Sequence, residues 1–131
     1  MFNHEIEPRF NDTDALGHIS NTAFPVWFEQ ARMPIFRIFN PALQMNDWPL
    51  ILARLEIDFK AQSYWAMQVN ICTFTGRIGN SSFSVIQQAW QDGTEVARGV
   101  AVMIHFDYET GTSQPIPEAI RKKLAEHTED A

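Results

Sequence analysis

Four long segments in the second half of the chain alternate between apolar and polar residues, and most are separated only by short turns. These segments cover residues 49–60, 67–78, 81–91 and 94–108. Alternation with a period of two is typical of strands that bury one face. In the first segment the predicted buried face is Ile51, Ala53, Leu55, Ile57 and Phe59.

The connections between these segments favour antiparallel pairing. Gly79-Asn80 and Asp92-Gly93 indicate tight turns, and the segments are too long and too closely linked for parallel βαβ units. The second half of the chain therefore predicts an antiparallel sheet.

A single long helix is predicted ahead of these strands. Its apolar face is formed by Phe24, Trp27, Phe28, Ala31, Ile35 and Ile38, which recur at helical spacing. Any of Ser20, Asn21 or Thr22 can cap its start. Pro34 should kink this helix or end its regular part, because proline lacks the backbone N–H. Asn40-Pro41 should end it.

The order of elements predicts an α+β architecture. A weak strand over residues 5–10 precedes the helix, and a short amphipathic helix follows Pro117. With the four long strands, this gives an antiparallel five-stranded sheet wrapped around one apolar helix. The length of 131 residues fits a single domain over residues 1–131, and 45% apolar residues suffice for a core.

Composition narrows the classes of function. A net charge of −6 argues against nucleic acid as a partner, because phosphate binding needs clustered basic residues. No apolar run approaches membrane-spanning length, and the N-terminus does not look like a secretory signal. Cys72, the single cysteine, excludes an internal disulfide and favours a reducing, cytoplasmic compartment. The four histidines are too scattered to predict a metal site.

The loop between the first strand and the helix carries the residues best suited to catalysis. Asp12-Thr13-Asp14-Ala15-Leu16-Gly17-His18 leads directly to a helix start. Unpaired N–H groups at a helix start can stabilise the oxyanion that forms when a carbonyl is attacked. A nearby carboxylate can attack that carbonyl or activate a water. Asp14 could equally serve only to stabilise the turn.

The motif Asp-Thr-Asp-x-x-Gly-His-x-x-Asn over residues 12–21, followed by Phe28-Glu29-x-Ala31-Arg32, resembles a known family. It is similar to hotdog-fold acyl-CoA thioesterases of the 4-hydroxybenzoyl-CoA thioesterase and acyl-CoA thioester hydrolase type. Residues 55–59, 78–82 and 107–117 extend the resemblance over most of the chain. The resemblance implies a hotdog fold, an acyl-CoA substrate and no cofactor, since CoA is part of the substrate. It also implies a homodimer or homotetramer with each active site at the interface.

The resemblance also implies roles for individual residues. Asp14 is expected to act as nucleophile or general base, and the amide near Asn21 at the helix start as oxyanion donor. Gly17 permits a tight backbone. His18 either orients the substrate or serves as a structural histidine. Gln62 departs from the family, which commonly has proline at that place.

Several interpretations stay open beside these roles. Glu29 could be an alternative base, although a solvated or Arg32-paired acid fits its helical position better. Met45, Trp48 and Trp65 could line an acyl pocket, and Lys60 and Arg77 are candidates for contacts with the CoA phosphates. A hydratase of the same fold is disfavoured, because its His-Phe-Pro and Asn-Pro-x-His strings are absent. A non-catalytic binding module for acyl-CoA or acyl-carrier protein is the alternative function.

Overall fold

A computed structural model describes residues 1–129; Asp130 and Ala131, the end of the predicted domain, lie outside the described residues. The strands are β1 (Phe2–Ile6), β2 (Leu50–Phe59), β3 (Val69–Ile78), β4 (Ser82–Gln91), β5 (Thr94–Asp107) and β6 (Thr112–Ser113). The α-helices are α1 (Ala23–Ala31), α2 (Met33–Phe39) and α3 (Glu118–Ala125). Short 3₁₀ turns cover Phe10–Asp12 and Met45–Asp47.

The strands form one antiparallel sheet in the order β1-β3-β4-β5-β2, and β6 adds a short pairing to β5. The α+β class and the antiparallel sheet are therefore confirmed, whereas the predicted number of five strands misses β6. The turn at Asp92-Gly93 has φ values of 51° and 75°, as expected for a tight hairpin. The first strand lies earlier than predicted, over residues 2–6 instead of 5–10.

The prediction of one long helix is wrong, because the helical segment is divided in two. Arg32 is both the C-cap residue of α1 and the N-cap residue of α2. Pro34 lies in the first turn of α2, where a missing N–H leaves no hydrogen bond unmade. The expectation that Pro34 ends the regular part of the first helix is thus confirmed. The helix divides there because proline has no N–H to continue the hydrogen bonds of α1.

Helix α1 packs its apolar face against the curled sheet. Its buried side chains are Ala23, Phe24, Trp27, Phe28 and Ala31, which meet Val69, Ile71, Ala89, Val96 and Ala97 of the strands. Gly99 of β5 allows the closest approach. A Cβ atom there would lie 2.8 Å from Cε2 of Phe28. Helices α2 and α3 cover a second cluster that contains Ile35, Leu50, Phe83 and Leu124.

Strand β2 lies at an edge of the sheet and does not alternate strictly. The pairing of β2 with β5 shifts register between Leu52 and Arg54, which is a β-bulge at Ala53. Before the bulge Leu50 is the buried residue, and after it Leu55 and Ile57 pack against the core. Of the predicted buried face, Leu55 and Ile57 pack against the core and Ile51 is half-buried, but the prediction is wrong for Ala53 and Phe59, which are exposed. The extra residue at the bulge changes which residues of the strand face the core.

Candidate active site

The loop that carries Asp14 is folded tightly onto itself. The backbone N–H of Asp14 donates to His18 O at 2.7 Å, and Thr13 pairs with Ile19. Asp14 Oδ1 accepts the N–H groups of Leu16 at 2.8 Å and His18 at 3.1 Å. Gly17 closes the turn with a φ of 80°, a conformation that favours glycine.

The turn-stabilising role of Asp14 therefore exists, but it occupies one carboxylate oxygen. Within residues 1–129, Oδ2 of Asp14 accepts no hydrogen bond, and the side chain is exposed. The turn holds the carboxyl group in a defined orientation while leaving one oxygen free. An oriented carboxylate with a free oxygen can attack a carbonyl or accept a proton from water.

The loop is anchored by the neighbouring buried acid, Asp12. Its Oδ2 accepts the backbone N–H of Arg9 at 2.8 Å, and its Oδ1 accepts Nη2 of Arg9 at 3.1 Å. Burial by itself would raise the pKa of Asp12, but the hydrogen bonds and charge of Arg9 outweigh it and lower that pKa. Asp12 is only 6% exposed, so it stabilises the loop from the protein interior and is not accessible to a substrate.

Asp14 and the start of α1 face the same cleft. A cavity of about 560 Å³ is lined by Asp14, Ile19, Ser20, Asn21 and Phe24, and by residues 59–63 at the end of β2. The N-cap of α1 is Thr22, one residue after Asn21. Ser20 O accepts the N–H of Ala23, and Ser20 Oγ accepts that of Thr22. In the described part of the chain, the N–H of Asn21 has no such partner, so it can donate to a bound oxygen.

The other two predicted site residues lie beside this cleft and do not line it. The half-buried ring of His18 packs edge-on against Tyr64, with ring centroids 5.3 Å apart. His18 and Tyr64 also form a backbone bridge, which holds the Asp14 loop against the segment after β2. Ile19 N–H donates to Ser63 O at 2.9 Å in the same place. Gly17 lies in the turn itself.

The far wall of the cleft is formed by residues that the sequence pattern does not predict to lie near Asp14. It is formed by Phe59, Lys60, Ala61, Gln62 and Ser63, which follow one another at the end of β2. Lys60 is paired with Glu95, with 3.1 Å between Nζ and Oε1, and keeps 45% of its side chain exposed. The sequence distinguishes Gln62 only as a departure from the family. The signal that could locate this wall is the apolar-to-polar change after Phe59, which indicates where the strand leaves the sheet.

Other candidate residues are placed elsewhere. Glu29, Met45 and Trp48 line a second cavity beyond the break between α1 and α2. Trp65 packs edge-on against Phe10 and does not line the cleft. Arg77 does not line the cleft, and its backbone N–H donates to Ser84 Oγ at 2.9 Å.

No group of three His, Cys, Asp or Glu side chains suited to a metal ion occurs within residues 1–129. The same residues contain no helix that is long and apolar enough to cross a membrane.

Comparison with known proteins agrees with this architecture. A family model described as the thioesterase-like superfamily matches residues 8–124 of the chain. A predicted thioesterase from Bacillus stearothermophilus superposes with a TM-score of 0.94 and 41% identity, over 97% of this chain and 96% of that one. A thioesterase from Thermus thermophilus, solved with coenzyme A and zinc, gives a TM-score of 0.83 and 28% identity over 93% and 95% of the two chains.

A more distant relative is known from sequence. The uncharacterized protein YsmA of Bacillus subtilis strain 168 is 24% identical over 111 residues, which cover 84% of this chain and 76% of YsmA. Both solved structures match nearly the whole length of this chain.

Proposed function

Because the chain belongs to the thioesterase-like superfamily and is therefore a thioester hydrolase, we propose that it cleaves an acyl-CoA to a free acid and CoA. The coenzyme A bound to the similar Thermus thermophilus thioesterase supports this class of substrate. The proposed reaction consumes one water and requires no cofactor, since CoA is part of the substrate. The cytoplasmic location favoured by the single cysteine stays a prediction.

One observation supports the proposed mechanism: Asp14 and Asn21 line the same cleft. In this mechanism the thioester carbonyl oxygen accepts the N–H of Asn21. Negative charge that develops on this oxygen is stabilised by the amide and by the positive end of α1. In this proposed complex, the free oxygen of Asp14 reaches the thioester carbon from within the same cleft.

Two routes are consistent with this arrangement. In the first, Asp14 Oδ2 attacks the thioester carbon, the CoA thiolate leaves, and water hydrolyses the resulting anhydride. In the second, Asp14 accepts a proton from a water whose oxygen attacks the carbon, and the thiolate then leaves. Either route converts one thioester and one water into an acid and a thiol. A thiolate is stable enough to leave without a strong general acid.

Asp14→Asn tests the proposal directly. The amide can still accept the N–H groups of Leu16 and His18, so the turn persists, but it is a poor nucleophile and base. We expect kcat for a panel of acyl-CoAs to fall at least about 100-fold, measured by the release of free thiol. Asp107→Asn is the matched control, because Asp107 Oδ1 accepts the N–H of Glu109 at 2.9 Å in a similar turn away from the cleft.

The same experiment separates hydrolysis from binding alone. The structural role of Asp14 Oδ1 is the observation that favours a non-catalytic module for acyl-CoA or acyl-carrier protein. Such a module would bind acyl-CoA without releasing thiol, and Asp14→Asn would leave its affinity unchanged. Thiol release that is equal in the wild type and the Asp14→Asn variant would overturn the role of Asp14.

We further propose that the protein assembles as a homodimer or homotetramer. Strand β2 is an edge of the sheet, so one side of its backbone has no strand partner within the described chain. Leu52 and Phe59 on this strand are 42% and 52% exposed. Pairing of two β2 edges satisfies the free backbone groups and covers apolar surface. Since Phe59 also lines the cleft, such pairing brings a second subunit next to the active site.

A further inference from the structure

The cavity at the break between α1 and α2 is lined by Arg32, a buried cation that has no anionic partner within residues 1–129. This cavity, of about 430 Å³, lies between the divided helix and β2. Its walls include Arg32, Phe36, Trp48, Leu50, Leu52 and Met103. Arg32 is only 2% exposed. Within residues 1–129, no carboxylate oxygen lies within 4 Å of its side-chain nitrogens.

The hydrogen bonds around Arg32 leave part of its guanidinium unused. Nη1 donates to Gln87 Oε1 at 3.2 Å, while Nε is buried and has no acceptor in the described chain. Gln87 cannot supply a second contact through its amide nitrogen, which donates to Phe28 O at 2.8 Å and to Thr73 Oγ1 at 3.1 Å. A buried guanidinium without an anion is unfavourable, and a carboxylate is the group that its geometry fits best.

We propose that this cavity binds a carboxylate with a short apolar chain, whose carboxylate group accepts hydrogen bonds from Arg32. The apolar walls contact the chain of the ligand, and the buried cation neutralises its charge. Acids of this kind are the products of thioester hydrolysis. The binding proposal nevertheless stands apart from the proposed activity, because the cavity does not share its lining with Asp14 or Asn21.

The nearest opposing charge at this cavity belongs to Glu29, an exposed residue on α1. Burial lowers the pKa of Arg32, and the negative charge of Glu29 acts in the opposite direction. An entering carboxylate is repelled by Glu29 and attracted by Arg32. Removal of the Arg32 charge should therefore weaken the binding of a carboxylate, and removal of the Glu29 charge should strengthen it.

The test is calorimetric titration with hexanoate, with hexanamide as a neutral ligand of nearly equal shape. We expect hexanoate to bind at least about ten-fold more tightly than hexanamide, because only the carboxylate forms a charge-assisted hydrogen bond. Arg32→Met should abolish this preference. Glu29→Gln, an exposed substitution that should leave the fold intact, should tighten hexanoate binding without affecting hexanamide. In ¹⁵N NMR spectra, the Arg32 Nε–H resonance should shift on addition of hexanoate.

Asp14→Asn distinguishes this cavity from the catalytic cleft. Hexanoate binding that responds to Asp14→Asn but not to Glu29→Gln would assign the ligand to the cleft and overturn the proposal. Equal affinity for hexanoate and hexanamide, no binding of hexanoate, or an Arg32 Nε–H resonance that does not move would overturn it as well. None of these outcomes depends on whether the protein hydrolyses acyl-CoA.

Discussion

Asp12 and Asp14, two acids only two positions apart, have opposite surroundings in the loop before α1. Asp12 is buried and uses both oxygens on Arg9, whereas Asp14 is exposed and keeps one oxygen free. The difference follows from the 3₁₀ turn over residues 10–12, which directs Asp12 inward before the chain turns out at Thr13. At the scale of residues, the structure thus separates a carboxylate that supports the loop from one available for chemistry.

Asp12 should stabilise the protein in a pH-dependent way. Its pKa is lower in the folded protein than its ordinary value of 3.8, so its stabilisation is fully present above that value and is lost as pH falls through the folded pKa. We expect Asp12→Asn to lower the free energy of unfolding by about 1–2 kcal/mol at pH 7 and by progressively less below pH 3.8. Urea denaturation at several pH values measures this. The exposed Asp47, in the other 3₁₀ turn, provides the control Asp47→Asn, and equal effects of the two variants would contradict the prediction.

Lys60 should contribute to binding of the CoA phosphates. Lys60 lines the cleft and its ammonium group is paired with Glu95, but its side chain stays partly exposed, so its electrostatic contribution is modest. We expect Lys60→Ala to raise KM for acyl-CoA about two- to five-fold and to leave kcat unchanged. An acyl thioester of N-acetylcysteamine, which lacks phosphates, is the control substrate. An equal rise in KM for both substrates would show that Lys60 acts on the shape of the cleft instead.

At the scale of elements, the break at Arg32 determines which part of the core each half of the helical segment covers. Helix α1 starts at the cleft and packs on β3, while α2 and α3 together cover the second core cluster. A continuous helix would carry Ile35 and Phe36 along the axis of α1. The division therefore creates two core clusters and opens the space in which Arg32 is buried.

The contact between α1 and β5 depends on the absence of a side chain at Gly99. A Cβ atom there would lie 2.8 Å from Phe28, which is fully buried and has no space to move. We expect Gly99→Ala to destabilise the protein by about 1–3 kcal/mol in urea denaturation. Phe28→Leu removes the clashing ring, so the double variant should be more stable than the sum of the two single effects predicts. Strictly additive effects would mean that β5 moves away from the helix at little cost.

At the scale of the whole molecule, the outer edge of β2 is the feature that most calls for a partner. Within residues 1–129 this edge has no strand partner, and it carries a bulge and the exposed apolar side chains of Leu52 and Phe59, of which Phe59 lines the cleft. A fold that leaves such an edge free is prone to uncontrolled association, and symmetric pairing removes that liability.

Light scattering should therefore give a particle of two or four times the chain mass of 15.0 kDa. Leu52→Lys places a charge on the exposed edge without touching Asp14, and we expect it to shift the protein towards the monomer. A wild-type mass of 15.0 kDa at all concentrations would contradict the proposed assembly. It would also mean that one subunit forms the complete active site.

The local pattern of the sequence was sufficient for the α+β class, for the position of the long strands and for the turn that precedes α1. Alternation located β2 to β5 within about two residues, because a strand that buries one face must repeat every second residue. Glycine and the acids of residues 12–18 identified the loop, since a tight turn before a helix requires such residues. Asp14 and Asn21 lie within one short segment, and the structure places both at the cleft; their roles in catalysis stay predictions.

Features that depend on distant residues came only from the tertiary structure. The wall of the cleft brings residues 59–63 against residues 14–24, and no local pattern encodes that contact. The bulge at Ala53 changes which side of β2 is buried, although an insertion of one residue leaves the alternation locally plausible. Likewise, Pro34 indicated a break, but only packing decided that Arg32 would be buried at the break without an anion. The spacing of neighbouring residues determines local structure such as strands and turns. Burial and charge pairing depend on which distant elements the folded chain brings together.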